Sequence, residues 1–291
     1  LIPNSFSIVV NDEDAVYPVT IDPLSSVSNW TAESNQTDAS FGVVAAAAGD
    51  VNGDGYSDVI IGAPLFDNGQ PNEGKVFVYY GSAAGLSASP VWSAESDQNN
   101  AEFGNNAGTA GDVNGDGYSD VVVGSYRYDN GQNDEGRAFV YHGSSSGLSA
   151  TPNWTAESNQ ADARFSLGVS AAGDVNGDGY GDLVAGAYLY DNFFTDEGCI
   201  FVYAGTSSGL ITTPSWIVFG GQAGAGLGSS VSTAGDINAD GYSDVIAGAY
   251  AYDNGQTDEG IVYEFNGSVF GMSLTANWST EGNQNSAYYG T

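Results

Sequence analysis

The stretch Asp50-Val51-Asn52-Gly53-Asp54-Gly55-Tyr56-Ser57-Asp58 is the one from which the rest of this 291-residue chain can be read. It returns beginning at Asp112, Asp174 and Asp236, a step of 62 residues each time. Oxygen-bearing side chains hold its first, third, fifth and ninth positions, and glycine holds the sixth. A short loop wraps a hard cation in this way, with the oxygens converging across a tight turn. Flexible cages of carboxylate and carbonyl oxygen suit calcium better than magnesium, which demands a stricter octahedron. Three carboxylates within nine residues repel one another unless a cation neutralises them, and the pattern occurs four times.

The spacing is shared with the calcium loop that joins two helices, but that loop requires a bidentate Glu at position twelve. Position twelve here is Ile61, Val123, Ala185 and Ala247, and the flanking residues read as strands. The helical version is therefore rejected.

Working outward, Trp30, Trp92, Trp154, Trp216 and Trp278 follow the same 62-residue step without insertion or deletion. Four full repeats, 29–90, 91–152, 153–214 and 215–276, are followed by a partial one, 277–291. A fixed period marks an array of like units. Residues 1–28 stand outside it. There, Ser7–Val10 and Val16–Ile21 flank an acidic turn and are expected to form a hairpin that caps or precedes the array.

Each repeat reads as four strands. The first is small-residue-rich: Val43 to Gly49, Ala107 to Gly111, Val169 to Gly173 and Val231 to Gly235. The second follows the last loop aspartate and is apolar throughout, as in Val59-Ile60-Ile61-Gly62-Ala63, so both its faces should be covered. The third, Lys75 to Tyr80 and its equivalents, is aromatic and β-branched, and the fourth carries the tryptophan. The fold class expected is all-β: a β-propeller of four-stranded antiparallel blades, the small residues innermost where blades crowd the axis.

Composition narrows the partners. Thirty-six acidic residues face four basic ones, Lys75, Arg127, Arg137 and Arg164, for a net charge of -32. Such a chain repels phosphate backbones and anionic membrane surfaces, so neither nucleic acid nor membrane insertion is expected. No apolar run approaches the roughly 20 residues that span a bilayer. Cys199, the single cysteine, sits in an apolar run and reads as a buried, inert thiol.

Each repeat also carries Phe-Gly before the aspartate loop and Gly-Ala-Pro or a variant after it. The copies are Phe41-Gly42 with Gly62-Ala63-Pro64, Phe103-Gly104 with Gly124-Ser125-Tyr126, Phe165-Ser166 with Gly186-Ala187-Tyr188, and Leu227-Gly228 with Gly248-Ala249-Tyr250; Tyr289-Gly290 opens a fifth. The pattern resembles the FG-GAP repeat of the integrin α-subunit propeller and of many secreted bacterial proteins. The resemblance implies a seven-bladed propeller as the usual closed form, calcium between the first and second strands of a blade, and an extracellular or cell-surface setting. Seven such blades would need about 434 residues, so the chain is expected to be part of a larger propeller or to close in an unusual way.

The expected ligands are the side chains at positions one, three, five and nine and the backbone carbonyl at seven. They are Asp50, Asn52, Asp54, the Tyr56 carbonyl and Asp58; Asp112, Asn114, Asp116, the Tyr118 carbonyl and Asp120; Asp174, Asn176, Asp178, the Tyr180 carbonyl and Asp182; and Asp236, Asn238, Asp240, the Tyr242 carbonyl and Asp244. About four Ca2+ ions follow, one per complete repeat. The loops after the second strand, at Asp67, Asp129, Asp191 and Asp253, fall at the opposite end of each blade. That end is the one at which integrin-like propellers often bind partners. In the third copy, Phe193-Phe194 replaces Gly-Gln, an apolar tip suited either to packing or to contact with a partner.

No nucleophile–histidine set, zinc motif or phosphate loop is visible, and His142 is the only histidine. The carboxylates recur in every repeat, as scaffolding does. The expectation is a non-enzymatic, calcium-stabilised adhesion, protein-interaction or surface-assembly module, with a protein, a glycan or copies of itself as partner. The alternatives are a carbohydrate-binding lectin, whose tryptophans would have to be exposed, and the non-catalytic scaffold of a larger secreted enzyme.

Overall fold

Short runs of β-branched and aromatic residues, broken by Gly, Asn and Asp, fold each repeat into four brief antiparallel strands in the computed structural model, which describes residues 28–291. The first sheet holds β1 (Ala45–Gly49), β2 (Asp58–Ala63), β3 (Lys75–Tyr79) and β4 (Trp92–Glu95). The second holds β5 (Asn106–Gly111), β6 (Asp120–Ser125), β7 (Arg137–Tyr141) and β8 (Trp154–Glu157). The third holds β9 (Phe165–Gly173), β10 (Asp182–Ala187), β11 (Cys199–Tyr203) and β12 (Trp216–Phe219). The fourth holds β13 (Leu227–Gly235), β14 (Asp244–Ala249), β15 (Ile261–Phe265) and β16 (Trp278–Glu281). Every sheet is a meander in sequence order, and no helix occurs among the described residues. The hairpin expected over 1–28 lies outside the described residues. Ala32–Thr291 form one compact unit.

The chain is all-β and its four sheets are four propeller blades. Their first strands lie side by side, β1 against β5, β5 against β9 and β9 against β13. Together they line a cleft of about 360 Å³ with Ala46, Gly108, Ser170 and Val231. Small side chains are needed here because neighbouring backbones converge. The tryptophan that opens each sequence period belongs to the strand that closes the preceding sheet, so a blade takes its outermost strand from the next period. Strands β9 and β13 also start earlier than expected, because Phe165 pairs with Ala187 and Leu227 with Ala249 across bulges.

The core lies between blades. Valines on the forward face of one blade meet aromatics on the rear face of the next. Val76 and Val78 pack with Phe103, Phe139 and Tyr141, Ala138 and Val140 with Phe165, Phe201 and Tyr203, and Ile200 and Val202 with Leu227 and Phe265. The tryptophans join in edge-on. Trp92 sits 4.9 Å from Tyr141, Trp154 4.9 Å from Tyr203 and Trp216 5.1 Å from Phe265. Trp278, on the last blade, is instead 55% exposed.

The glycines of the recurring Phe-Gly and Gly-Ala-Pro segments mark where backbones touch. A Cβ on Gly62 would stand 2.0 Å from the carbonyl oxygen of Gly104 in the next blade, and one on Gly186 would stand 2.0 Å from that of Gly228. Between the second and third blades the pattern departs from glycine, and two serines compensate. Ser166 Oγ accepts from the Ser125 N–H at 3.1 Å and donates to the Arg137 carbonyl at 2.8 Å. Ser125 Oγ donates to the Ala101 carbonyl at 2.7 Å.

Candidate metal-binding loops

Each aspartate loop joins the first and second strands of a blade, so all four lie at one end of the array. Asp50 organises the first by accepting backbone N–H groups from Gly53 and Asp54 at Oδ1 (2.8 and 3.1 Å) and from Gly55 at Oδ2 (2.8 Å). Asn52 Oδ1 accepts from Asp54 N–H at 2.9 Å, and Asp54 Oδ1 from Tyr56 N–H at 3.0 Å. These side chains turn the backbone around themselves, as short Asp and Asn side chains do in turns. Asp112 and Asp174 reproduce all three contacts with the residues three, four and five positions on. In the fourth loop Asp236 accepts from Asp240 and Gly241.

The ninth residue behaves differently. Asp58, Asp120, Asp182 and Asp244 are completely buried. Asp58 Oδ2 accepts from Val51 N–H at 3.0 Å and Oδ1 from Gly81 N–H at 2.8 Å. The same pair of contacts recurs at Asp120, Asp182 and Asp244. Burial pushes Asp120 up to about 7 and Asp182 up to about 6, against the backbone N–H bonds, with the other loop carboxylates raising them further. Asp58 moves the same way for the same reasons. The ninth aspartate thus pins the loop to the end of β3 or its equivalent.

The structure brings Asp50, Asn52 and Asp54, and their equivalents, into one hydrogen-bonded turn, with position nine beneath it. Among the described residues no three Asp, Glu, His or Cys side chains are drawn close enough to enclose an ion. The donor chemistry nevertheless fits a hard cation: every side chain offers oxygen, and the first three of each set lie on a solvent-facing turn. In the first two loops the third-position amide donates to the fifth carboxylate, at 3.1 Å for Asn52 to Asp54 and 2.9 Å for Asn114 to Asp116. That amide satisfies a carboxylate which calcium would otherwise neutralise.

Neighbouring loops are linked. Tyr118 lies over Gly53, Tyr180 over Gly115 and Tyr242 over Gly177, so close that a Cβ on any of these glycines would come within 2.6 Å of the ring. In the fourth loop the corresponding residue is Ala239, held at φ 61°.

The turns at Asp67, Asp129, Asp191 and Asp253 were visible in the sequence, but the two sets of side chains that hold them were not assigned that role. Gln98 clamps Asp129 of the next blade, and Gln36, Gln160 and Gln222 clamp Asp67, Asp191 and Asp253 likewise. Glu73, Glu135, Glu197 and Glu259 are fully buried. Each holds the turn that follows the second strand, as Glu135 Oε1 does by accepting Asn130 N–H at 2.6 Å. Their strict 62-residue recurrence was the available signal. Phe193 and Phe194 stand on one of these turns, 83% and 48% exposed, with both N–H groups on Glu197 Oε1. His142 Nδ1 lies 3.3 Å from Asn114 Nδ2, and burial lowers the imidazole's proton affinity. Cys199 is buried, with its thiol pushed up by desolvation.

Blades of this topology, glycine contacts between them and one aspartate loop per blade define a repeat propeller built on oxygen-rich turns. The FG-GAP repeat pattern matches residues 41–79, 103–141, 168–208 and 227–265, and the chain belongs to the FG-GAP repeat family. It is 35% identical to integrin alpha-PS2 of Drosophila melanogaster over 51% of this chain and 11% of that protein. With integrin alpha-V of Gallus gallus it shares 34% identity over 58% of this chain and 16% of the relative. The chain therefore spans less than a fifth of the length of these relatives. Among solved structures it is similar to the rhamnogalacturonan lyase YesW, with a TM-score of 0.45 and 16% identity over 78% of this chain and 47% of that one.

Proposed function

We propose that this chain is a calcium-stabilised, non-enzymatic module outside the cell, serving adhesion, protein interaction or surface assembly. The observation that carries the reading is the first-position aspartate, whose carboxylate gathers two or three backbone N–H groups in all four loops. That contact presets the turn, and the aspartate stays partly open to solvent in the first three loops and exposed in the fourth. Asp50, Asn52 and Asp54 and their equivalents would hold the ion, and calcium would supply charge neutralisation at the junction of the two inner strands. No helix of the described residues is long and apolar enough to cross a membrane. The integrin relatives favour an interaction role.

The partner face of this reading is the opposite end, which carries the turns after the second strands and the exposed Phe193 and Phe194. The carboxylates serve every blade equally, which supports a scaffold rather than one active centre. Calorimetry with calcium and with chelator tests the proposal. Calcium should raise the melting temperature markedly, and coincident melting curves would refute it.

A further inference from the structure

Seven Asn-Gly pairs occur in the chain, beginning at Asn52, Asn68, Asn114, Asn130, Asn176, Asn254 and Asn266. Each carries the same chemical liability. The glycine nitrogen, once it loses its proton, can attack the asparagine side-chain carbonyl carbon, and glycine has no side chain to obstruct the approach. Local sequence does not rank the seven pairs. Tertiary structure does, through what it does with each glycine N–H.

Four of those N–H groups are held by a carboxylate. Gly53, Gly115 and Gly177 donate to Oδ1 of Asp50, Asp112 and Asp174 at 2.8, 2.7 and 2.7 Å. Gly267 donates to Oδ1 of the buried Asp244 at 3.0 Å. The other three glycines, Gly69, Gly131 and Gly255, lie on the turns after the second strands. There the buried glutamate takes the N–H groups on either side of the glycine and passes over the one between. Glu135 Oε1 accepts from Asn130 at 2.6 Å and Gln132 at 3.4 Å, and Glu259 Oε1 from Asn254 at 2.6 Å and Gln256 at 3.4 Å. Glu73 holds Asn68 and Gln70 likewise. The N–H groups of Gly69, Gly131 and Gly255 make no hydrogen bond among the described residues. All three Asn-Gly pairs are exposed, and a Cβ on any of these glycines would meet open space. In the third blade the turn reads Asn192-Phe193 instead, and the Phe193 N–H is bound to Glu197 Oε1 at 2.6 Å.

We propose that Asn68, Asn130 and Asn254 are sites of spontaneous deamidation, while the fold protects the other four Asn-Gly pairs. In the step, the glycine nitrogen forms a bond to Cγ and the Cγ–Nδ2 bond breaks. Nδ2 leaves as ammonia, with the proton that the glycine nitrogen gave up. Water then opens the resulting succinimide at either carbonyl, leaving aspartate or isoaspartate; nothing is oxidised or reduced. Each conversion adds one negative charge, so the three together take the chain from -32 to -35. Each also removes an amide donor from a glutamate. Asn68, Asn130 and Asn254 engage Glu95, Glu157 and Glu281 through Nδ2 at 2.8, 3.0 and 2.6 Å, and after conversion two carboxylates would face each other there.

The test incubates the whole chain in mildly alkaline buffer with chelator, both folded and in denaturant, and follows each Asn-Gly peptide by mass spectrometry. In denaturant all seven asparagines should convert at similar rates, because each is followed by glycine. In the folded chain the three turn sites should convert at least about tenfold faster than the four held sites, where attack must first break a hydrogen bond to a carboxylate. Labelling by isoaspartyl methyltransferase should fall on the same three peptides. Equal rates at all seven sites of the folded chain would overturn the assignment, as would faster conversion at Asn52, Asn114, Asn176 or Asn266. So would turn sites as unreactive as the held ones, or a spread of rates that persists unchanged in denaturant.

Discussion

Gln98 and Asp129 are joined at two points across a blade boundary: Gln98 Nε2 donates to the Asp129 carbonyl at 2.8 Å, and Asp129 N–H donates to Gln98 Oε1 at 2.7 Å. One primary amide thus satisfies both backbone polar groups of one residue in the next blade. Gln98→Ala should cost about 1–2 kcal/mol in denaturant unfolding. Gln98→Glu should cost at least as much, since a carboxylate cannot donate and would face a carbonyl. A cost no larger than that of Ser146→Ala, at an exposed side chain of another turn, would show that the clamp adds nothing.

Contact between Gly62 and the Gly104 backbone leaves no room for a methyl group. Gly62→Ala should destabilise by about 3 kcal/mol or more, because backbone cannot move aside as a side-chain tip can. Gly108→Ala provides the control: its nearest neighbour would be Ala46 Cβ at 3.8 Å, an ordinary contact. That variant should fall within about 1 kcal/mol of the parent. Equal melting temperatures for the two variants would contradict the packing described.

If each loop binds calcium with a dissociation constant near 1 mM, as extracellular modules do, then 10 mM calcium stabilises by about 1.4 kcal/mol per site. Four ions would also bring the net charge from -32 to -24. Asp54→Asn and Asp116→Asn remove one charge from separate loops, and each should reduce the calcium-dependent gain in stability by about one site's share. A gain that survives both substitutions intact would exclude these loops as the source.

Glu264 stands where β3, β7 and β11 place Val78, Val140 and Val202 on the forward face of a blade. It is 3% exposed, and its Oε1 lacks a hydrogen-bond partner. Burial raises its proton affinity above the ordinary value of 4.5, with Asp244 adding to the effect. A carboxyl shifted upward is held protonated more tightly when folded. Its penalty is therefore absent below the ordinary carboxylate range and grows as pH rises toward the folded pKa. Glu264→Gln should raise the melting temperature at pH 7 and give a smaller gain at pH 4. Equal gains at both pH values would show that ionisation of Glu264 is not the cause.

The repeat, the strand types and the aspartate loops were legible in the linear chain, because each depends on residues within about 15 positions of one another. Loop oxygens at fixed spacing and small residues on the first strand sit where local chemistry puts them. What a residue touches in the next blade was not legible. A 62-residue period states which residues are equivalent, yet it is silent on how far along the neighbour each contact falls. The glutamine clamp falls 31 residues on, and the hydrogen bond from Trp92 Nε1 to the Ser149 carbonyl 57 residues on. Only tertiary structure decided that a blade's last strand comes from the following period. It likewise decided that Trp154 is buried while Trp278 is exposed, although their local sequences are nearly alike. Burial of these side chains is a property of the interface between blades, and a side chain at the end of the array has no further blade among the described residues to complete it.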